Sequence, residues 1–226
     1  MTKIGIMAAA IAASALTASS ALANNLLVNG GFEDIGSANL QGWGGYTYGE
    51  TYTPVLPGWT IDSGTVDITQ TGSTWGPAYE GTNSLDLNGW DPGEISQTFK
   101  TIVGKTYDVT FAYSRNPPSA PDPATATVSA GGQSLNVVAP NDPSLFGGSG
   151  AMKWQLGSFD FVAQGPSSTI TLTSTNPGNG GVFFDAVGVS GAVPEPATWA
   201  MMLIGLGGLG AVLRRNRQPV ASAAAA

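Results

Sequence analysis

The chain has 226 residues, with 15 acidic and 8 basic side chains, a net charge of −7, and neither cysteine nor histidine. Without cysteine there is no disulfide framework. Without histidine, Ser-His-Asp and Cys-His catalysis and histidine-dependent zinc sites are excluded. The acidic balance argues against nucleic acid as a partner, because nucleic-acid phosphates attract basic surfaces.

The first 23 residues have the pattern of a signal peptide. Lys3 precedes an uncharged run over residues 4–16, and Ala21, Leu22 and Ala23 form a small-x-small cleavage site. This pattern predicts export, with cleavage after Ala23. A retained anchor helix is the alternative, which the short apolar run and the well-formed cleavage site disfavour.

Residues 24–192 are predicted to form one all-β domain. Their length of 169 residues suits a single domain with a sizeable core. Their 14 acidic and four basic residues give a net charge of −10. Apolar and polar residues alternate in short runs, which predict strands at residues 84–87, 94–100, 106–114, 124–130, 134–138, 154–163, 168–174 and 182–190. Many short strands at this spacing predict a β-sandwich or jelly roll.

Three connections in this domain have the composition of turns. Gly104 and Lys105 are predicted to join two strands in a tight turn, and residues 176–181 to form a glycine-rich hairpin loop. Residues 116–123 contain four prolines and predict a rigid loop or an edge crossing.

The tail combines three signals in sequence. The triplet Pro194, Glu195 and Pro196 holds the backbone extended. An uncharged run follows over residues 197–213. Three arginines end this run, namely Arg214, Arg215 and Arg217. At a rise of ~1.5 Å per residue the run is roughly 25 Å long, which is the short end of a transmembrane helix. The arginines favour a cytoplasmic C-terminus. A buried core helix is the alternative, disfavoured by the basic stop and by the four glycines of the run.

This tail closely resembles the PEP-CTERM sorting signal of Gram-negative bacteria, in the variant Pro-Glu-Pro-x-x-Trp-Ala, since Trp199 and Ala200 follow the triplet at the matching positions. The resemblance implies export, transient anchoring in the inner membrane, and processing near the triplet by an exosortase-type transpeptidase. Such proteins commonly accompany exopolysaccharide production. The extension over residues 218–226 is longer than usual. The predicted organisation is therefore a signal peptide at 1–23, a β-sandwich at 24–192 and a sorting tail at 193–226.

A second resemblance rests on six short motifs in a fixed order: residues 25–33 (NLLVNGGFE), 57–59 (PGW), 84–88 (SLDLN), 93–99 (GEISQTF), 104–107 (GKTY) and 184–187 (FDAV). The set looks like the galactose-binding-like β-sandwiches, specifically the bacterial choice-of-anchor C domains and their plant cell-wall relatives. It implies a non-catalytic jelly roll of the kind found in carbohydrate-binding modules. The cysteine pair of the plant relatives is missing here.

The same resemblance implies a structural calcium ion held by Glu33 and Asp185, because related sandwiches place an acid from the first strand beside one from the last. Calcium takes about six to eight oxygen ligands, and Asp34 is a spare candidate. The alternative is a pair of solvated carboxylates or of carboxylates that cap backbone amides.

Aromatic residues crowd the segment between Trp43 and Trp90, which is also rich in Gly, Thr and Asn. Trp59 is predicted to lie in the core, whereas Trp75, Tyr79 and Trp90 lie among turn residues and are predicted to be exposed. Flat aromatic rings match the apolar faces of sugars, and they pack into cores equally well.

The candidate polar partners of these aromatics are Asp86, Asn88 and Arg115. Asp86 and Asn88 alternate with leucines and are predicted to share the face opposite the core, where an ordinary solvated strand face is the alternative. Gln97 has the parity of Ile95 and Phe99, so its amide is predicted to point inward and to need hydrogen-bond partners.

These observations predict an exported, non-catalytic protein that binds or organises extracellular polysaccharide at the envelope or matrix of a Gram-negative bacterium. A structural matrix protein without a saccharide site is the alternative. A glycan hydrolase is a third reading, since its paired carboxylates need only lie about 5 to 9 Å apart. No sequence pattern selects such a pair among the 14 acidic residues.

Overall fold

The computed structural model describes residues 24–38, 45–49, 55–73, 75–117, 120–140, 152–191 and 205–206. The predicted signal peptide, the sorting-motif residues and the three terminal arginines lie outside these ranges. Of the predicted span at 197–213, only residues 205 and 206 are described, and both are helical. Within the described ranges, no helix is both long enough and apolar enough to cross a membrane.

The described chain is all-β, and its strands form two antiparallel sheets. The strands are β1 (Gly45–Gly49), β2 (Thr60–Ser63), β3 (Thr65–Gln70), β4 (Asn83–Asp86), β5 (Glu94–Lys100), β6 (Thr106–Arg115), β7 (Ala124–Ala130), β8 (Gln133–Ala139), β9 (Gln155–Val162), β10 (Ser167–Ser174) and β11 (Val182–Gly191). One sheet has six strands in the order β1-β3-β4-β11-β6-β9, and the other has five in the order β2-β5-β10-β7-β8.

All eight strands predicted from the sequence are present, each within one residue of its predicted ends. The strands β1, β2 and β3 were not predicted. β1 (GYTYG) begins and ends with glycine and β2 (TIDS) has only four residues, so neither offers a clear alternating run. β3 (TVDITQ) does alternate, with buried Val66 and Ile68 on one face, and its pattern was visible in the sequence.

The core lies between the two sheets. Phe99 on β5 of the five-stranded sheet meets Phe161 on β9 of the six-stranded sheet with ring centroids 6.3 Å apart. Buried aliphatic side chains of both sheets, such as Ile68 and Ile170, belong to the same apolar cluster. Burial of this shared face is the main favourable term holding the two layers together.

Two connections differ in how well they match the prediction. The tight turn at Gly104 and Lys105 is confirmed, with the Lys105 amide donating to the Ile102 carbonyl at 3.0 Å. The hairpin predicted at residues 176–181 is wrong, because β10 and β11 belong to different sheets and this segment crosses between them. Glycine-rich composition marks a turn without specifying which strands it joins.

The N-terminal segment of the domain lies along the last strand. The Leu26 amide donates to the Val189 carbonyl at 2.8 Å, and the Val187 amide donates to the Gly30 carbonyl at 2.9 Å. The Asn25 side chain adds bonds to the Val187 carbonyl and from the Val189 amide. The two ends of the domain are therefore neighbours in space.

The inward placements of Trp59 and Gln97 are confirmed. Trp59 is buried, its indole N–H donates to the Asn29 carbonyl at 3.0 Å, and its ring lies 5.6 Å from that of Phe32. The Gln97 amide bonds to both the N–H and the carbonyl of Val28. Both side chains fix the N-terminal segment, including the motif at residues 25–33, onto the sandwich.

The turn between β7 and β8 provides a test of the packing between the sheets. Gly131 and Gly132 both have a positive φ, of 57° and 82° respectively. A Cβ atom added at Gly131 would collide with the Phe161 ring, whereas one added at Gly132 would meet nothing within 4 Å. We expect Gly131→Ala to lower the free energy of unfolding by about 1 to 3 kcal/mol more than Gly132→Ala. Urea unfolding of both variants measures this, and equal losses would contradict the packing of Phe161 described here.

Candidate functional site

The outer face of the six-stranded sheet carries a row of residues that point away from the core. Thr47, Asp67, Asp86, Phe183 and Ser114 lie side by side on β1, β3, β4, β11 and β6, each paired with the next across the sheet. Paired residues of antiparallel strands share a face and contact one another. The row thus gives this sheet a second, largely polar surface opposite its core surface.

The connection from β3 to β4, residues 71–82, lies over part of this outer face and is held there by two carboxylates. Asp185 Oδ2 accepts from the Tyr79 and Glu80 amides at 2.8 and 3.1 Å, and its Oδ1 accepts from the Ala186 amide at 2.7 Å. Glu33 Oε1 accepts from the Thr82 and Asn83 amides at 2.8 and 2.9 Å. Since each carboxylate satisfies backbone donors that have few other partners here, the loop is fixed in place.

Burial raises the pKa of the Asp185 carboxyl to about 7, and the three backbone hydrogen bonds only partly oppose this effect. The nearby Glu80 carboxylate raises the pKa further. Desolvation of the charged form is thus the dominant influence on this group.

These contacts bear on the predicted calcium ion. Glu33 Oε1 and both carboxyl oxygens of Asp185 already accept N–H groups, which is the capping alternative. A calcium shell would need further carbonyl and carboxylate oxygens. Among the described residues, no group of three or more His, Cys, Asp or Glu side chains is placed to hold a metal ion. A calcium ion held by Glu33 and Asp185 therefore stays a prediction.

A pocket of about 260 Å³ lies on the outer face beside this loop. Its floor includes the paired residues Asp67 and Asp86, and its walls come from loops at the strand ends. Trp75 belongs to the β3–β4 connection and is half-buried, and Trp90 belongs to the β4–β5 connection and is 59% exposed. The described lining is completed by Gly89, Asn116 and Asn179.

The two acidic residues of the pocket are directly opposite each other on β3 and β4. Thr47 Oγ1 donates to Asp67 Oδ1 at 2.7 Å. The Asn88 amide and Asn116 Nδ2 donate to Asp86 Oδ1 and Oδ2 at 3.0 and 2.7 Å. Burial raises the pKa of Asp67 to about 6 and raises that of Asp86 well above its ordinary value, with the Asp67 charge adding to the second effect.

Asn116 brings an unsatisfied acceptor to the same pocket. It follows the end of β6, where its backbone amide donates to the Gly181 carbonyl at 2.9 Å. The side chain is 1% exposed, and its Oδ1 has no hydrogen-bond partner among the described residues. An orphaned buried carbonyl is costly, and a ligand with an N–H or O–H group in the pocket would satisfy it.

The structure brings together three of the predicted saccharide residues, Trp75, Trp90 and Asp86. Tyr79 is exposed, as predicted, but it lies elsewhere on the outer face, with its ring 6.1 Å from that of Trp154. It borders a separate depression of about 300 Å³ whose lining includes Thr110, Ala112 and Leu156.

The alternative of an ordinary solvated strand face for Asp86 and Asn88 is wrong, because they are only 3% and 0% exposed. They do point away from the core, but loops cover that face. Asn88 fastens the crossing between β10 and β11: its Nδ2 donates to the Asn176 and Gly178 carbonyls at 3.2 and 2.8 Å, and its Oδ1 accepts from Ser174 Oγ at 2.6 Å. Asn88 is thus a structural residue beside the pocket.

Arg115, also predicted as a saccharide partner, is turned toward the proline-rich loop. Its guanidinium donates to the carbonyls of Pro117, Ala120 and Pro121. These bonds support the prediction of a rigid loop after β6. They leave Arg115 outside the described pocket lining.

A family model described as a protein of unknown function (DUF642) matches residues 25–185, which is most of the chain. This chain belongs to the DUF642 family. The match begins at the NLLVNGGFE motif and ends at Asp185, so it contains nearly all of the ordered motifs found in the sequence. The resemblance to the choice-of-anchor C and galactose-binding-like domains stays a prediction.

A second family model, the PEP-CTERM protein-sorting motif, matches residues 192–218. The sorting signal predicted from the Pro-Glu-Pro triplet, the uncharged run and the arginines is therefore confirmed. Such a motif indicates an exported protein that is processed at the membrane. A search of curated proteins gives no significant match.

Among solved structures, this DUF642 chain is similar to a family 61 carbohydrate-binding module in complex with β-1,4-galactotriose, at 15% identity and a TM-score of 0.47 over 75% of this chain and 99% of that one. A family 35 carbohydrate-binding module from Clostridium thermocellum matches at 16% identity and a TM-score of 0.37 over 66% and 92% of the two chains. An arabinose-bound α-L-arabinofuranosidase matches at 13% identity and a TM-score of 0.47 over 76% of this chain and 27% of that one. Each is a similarity of overall fold at low identity.

Sequence reasoning missed four residues of the described pocket lining, Asp67, Gly89, Asn116 and Asn179. Asp67 had a usable signal, because it alternates with Val66 and Ile68 and therefore faces away from the core. Asn116 and Asn179 lie in connections, where no periodicity shows the direction of a side chain. Only the way the loops fold over the outer face brings them to the pocket.

The buried carboxyl of Asp67 predicts a specific pH dependence of stability. A pKa raised from 3.8 to about 6 in the folded state means that the folded protein holds this proton more tightly than the unfolded chain. The resulting stabilisation is complete below about pH 4 and is lost as the pH rises through about 6, with a slope of at most about 1.4 kcal/mol per pH unit. Since Asp67→Asn removes the titration, the free energy of unfolding of the wild type relative to this variant should fall over that interval.

Urea unfolding across this pH interval measures the effect. The matched control is Asp62→Asn, which removes an exposed acid on β2 of the other sheet. A wild-type profile parallel to that of Asp67→Asn would contradict the buried environment of Asp67.

Proposed function

We propose that this chain is an exported, non-catalytic carbohydrate-binding protein whose ligand site is the pocket lined by Trp75, Trp90, Asp67, Asp86 and Asn116. Its domain spans residues 24–192 and belongs to the galactose-binding-like jelly rolls. Its setting is the envelope or extracellular matrix of a Gram-negative bacterium, where it binds or organises extracellular polysaccharide. The observation that carries the proposal is the meeting of two indole rings with buried polar groups in one concave site.

Sugars present two kinds of surface, and the pocket has a match for each. The apolar C–H face of a pyranose packs against a flat aromatic ring, and the 59% exposure of Trp90 leaves its ring available for this contact. The hydroxyl groups of a sugar can donate as well as accept hydrogen bonds. The Asp67 carboxyl and the orphaned Asn116 carbonyl can accept hydrogen bonds from them. Concave sites with apolar walls and a few fixed polar groups are typical of small-ligand sites.

The competing reading as a hydrolase would use Asp67 and Asp86 as its pair of carboxyl groups. Against it, both oxygens of Asp86 accept hydrogen bonds from the protein, and the side chain is 3% exposed. A general acid must reach the glycosidic oxygen of a bound substrate. Release of reducing ends that Asp67→Asn or Asp86→Asn abolishes would support the hydrolase instead.

We predict that Trp90→Ala weakens retention of the full chain on its best-binding glycan by about tenfold or more, because the stacking surface is lost. Trp75→Ala should have the same effect. A glycan array identifies the ligand, and pull-down on that glycan measures the change. The matched control is Val103→Ala, an exposed apolar residue in the β5–β6 turn.

Binding that survives both tryptophan substitutions would move the ligand site away from this pocket. A chain that binds no glycan on the array would instead favour the structural matrix protein without a saccharide site.

We further propose that an exosortase-type enzyme of the inner membrane processes the tail near Pro194, Glu195 and Pro196, after removal of the signal peptide at residues 1–23. Replacing the triplet with alanines should leave the tail uncleaved and the protein in the membrane fraction. Pro219→Ala, a proline just outside the matched motif, is the matched control and should be processed normally. Intact mass of the mature protein is the measurement, and an unchanged mass in the triplet variant would refute the proposal.

A further inference from the structure

We propose that the pocket selects a pyranose that carries a free primary ammonium group, that is, an amino sugar with an unacetylated amine. This inference rests on the proposed function and names the substrate class of the same site. It is drawn from the juxtaposition of Asp67, Asp86 and the unpartnered Asn116 carbonyl beneath Trp75 and Trp90.

The pocket contains hydrogen-bond acceptors that lack donors. Among the described residues, the one hydrogen bond to the Asp67 carboxyl comes from Thr47 and uses Oδ1, so Oδ2 is available. Asn116 Oδ1 has no described partner and is buried. An ammonium group carries three donors and no acceptor, which suits a site with surplus acceptors better than a hydroxyl group, which itself needs a donor.

The pocket also holds two acidic side chains without a basic residue in its described lining. Two carboxyl groups lie opposite each other on neighbouring strands and are largely withdrawn from water. Buried charges need an opposite partner, yet none of the described lining residues is basic. The neighbouring cation, Arg115, is bound to the carbonyls of the proline-rich loop. A cationic ligand would supply the positive charge that the described lining lacks.

The aromatic walls of the pocket suit a cation as well. Tryptophan is the best aromatic partner for a cation, because the face of its ring carries negative potential. Trp75 and Trp90 both line the pocket, so the ring that stacks a pyranose also stabilises an ammonium substituent on it. A uronic acid would meet the same surfaces with the wrong sign, and residues 24–192 as a whole carry a net charge of −10.

The test is isothermal titration of the full chain with three probes of equal length: the β-1,4-linked tetramers of glucosamine, N-acetylglucosamine and glucose. We expect the glucosamine tetramer to bind about tenfold or more tightly than the other two. Asp67→Asn keeps the shape of the side chain and removes its charge. It should reduce glucosamine binding about tenfold or more, and by a clearly larger factor than it reduces binding of the glucose tetramer.

Asp62→Asn on β2 is the matched control, because it removes the same charge from the opposite sheet. If it weakens glucosamine binding as much as Asp67→Asn does, the attraction comes from the overall charge and the inference falls. Thermal unfolding of each variant checks that its fold is intact.

The remaining outcomes distinguish failure of the amino-sugar assignment from failure of saccharide binding itself. Equal or tighter binding of the glucose tetramer overturns the amino-sugar assignment and leaves saccharide binding standing. Failure of all three probes, together with a glycan array on which nothing binds, overturns both.

Discussion

The architecture of the outer face depends on one buried carboxylate. Asp185 lies at the irregularity in β11, where the register with β6 shifts, and it accepts amides from both its own strand and the β3–β4 loop. The loop that it holds carries Trp75. Without this anchor, the Tyr79 and Glu80 amides would lose their acceptor, and Glu33 alone would hold the loop at its far end.

The six-stranded sheet illustrates how a single strand pattern serves two purposes. Val66 and Ile68 on β3 stabilise the sandwich, while Asp67 between them contributes to the pocket. Because the side-chain period of a strand is two, a shift of one residue in register would exchange these roles and bury the acid in the core. The stability of the core therefore also positions the polar site.

Most of the sheet framework could be predicted from the sequence, because the strands from β4 onward alternate clearly and are bounded by turn residues. The candidate site could be predicted only in part. Trp75, Trp90 and Asp86 were identified from their composition and parity, whereas Asn116 and Asn179 depend on loop conformations that no local pattern specifies. The burial of Asp86 and Asn88 could not be anticipated either, since alternation shows which face a residue occupies and does not show whether a loop covers that face.

The pairing of the N-terminal segment with β11 has a consequence for the order of events during export. A chain that crosses a membrane from its N-terminus delivers Leu26 early and Val189 last, and these two residues are hydrogen-bonded in the folded domain. The sandwich can close only when nearly the whole domain has emerged, because its contacts join residues far apart in sequence. The sorting motif begins at residue 192, one residue beyond β11. Folding therefore cannot be complete before the sorting motif itself approaches the membrane.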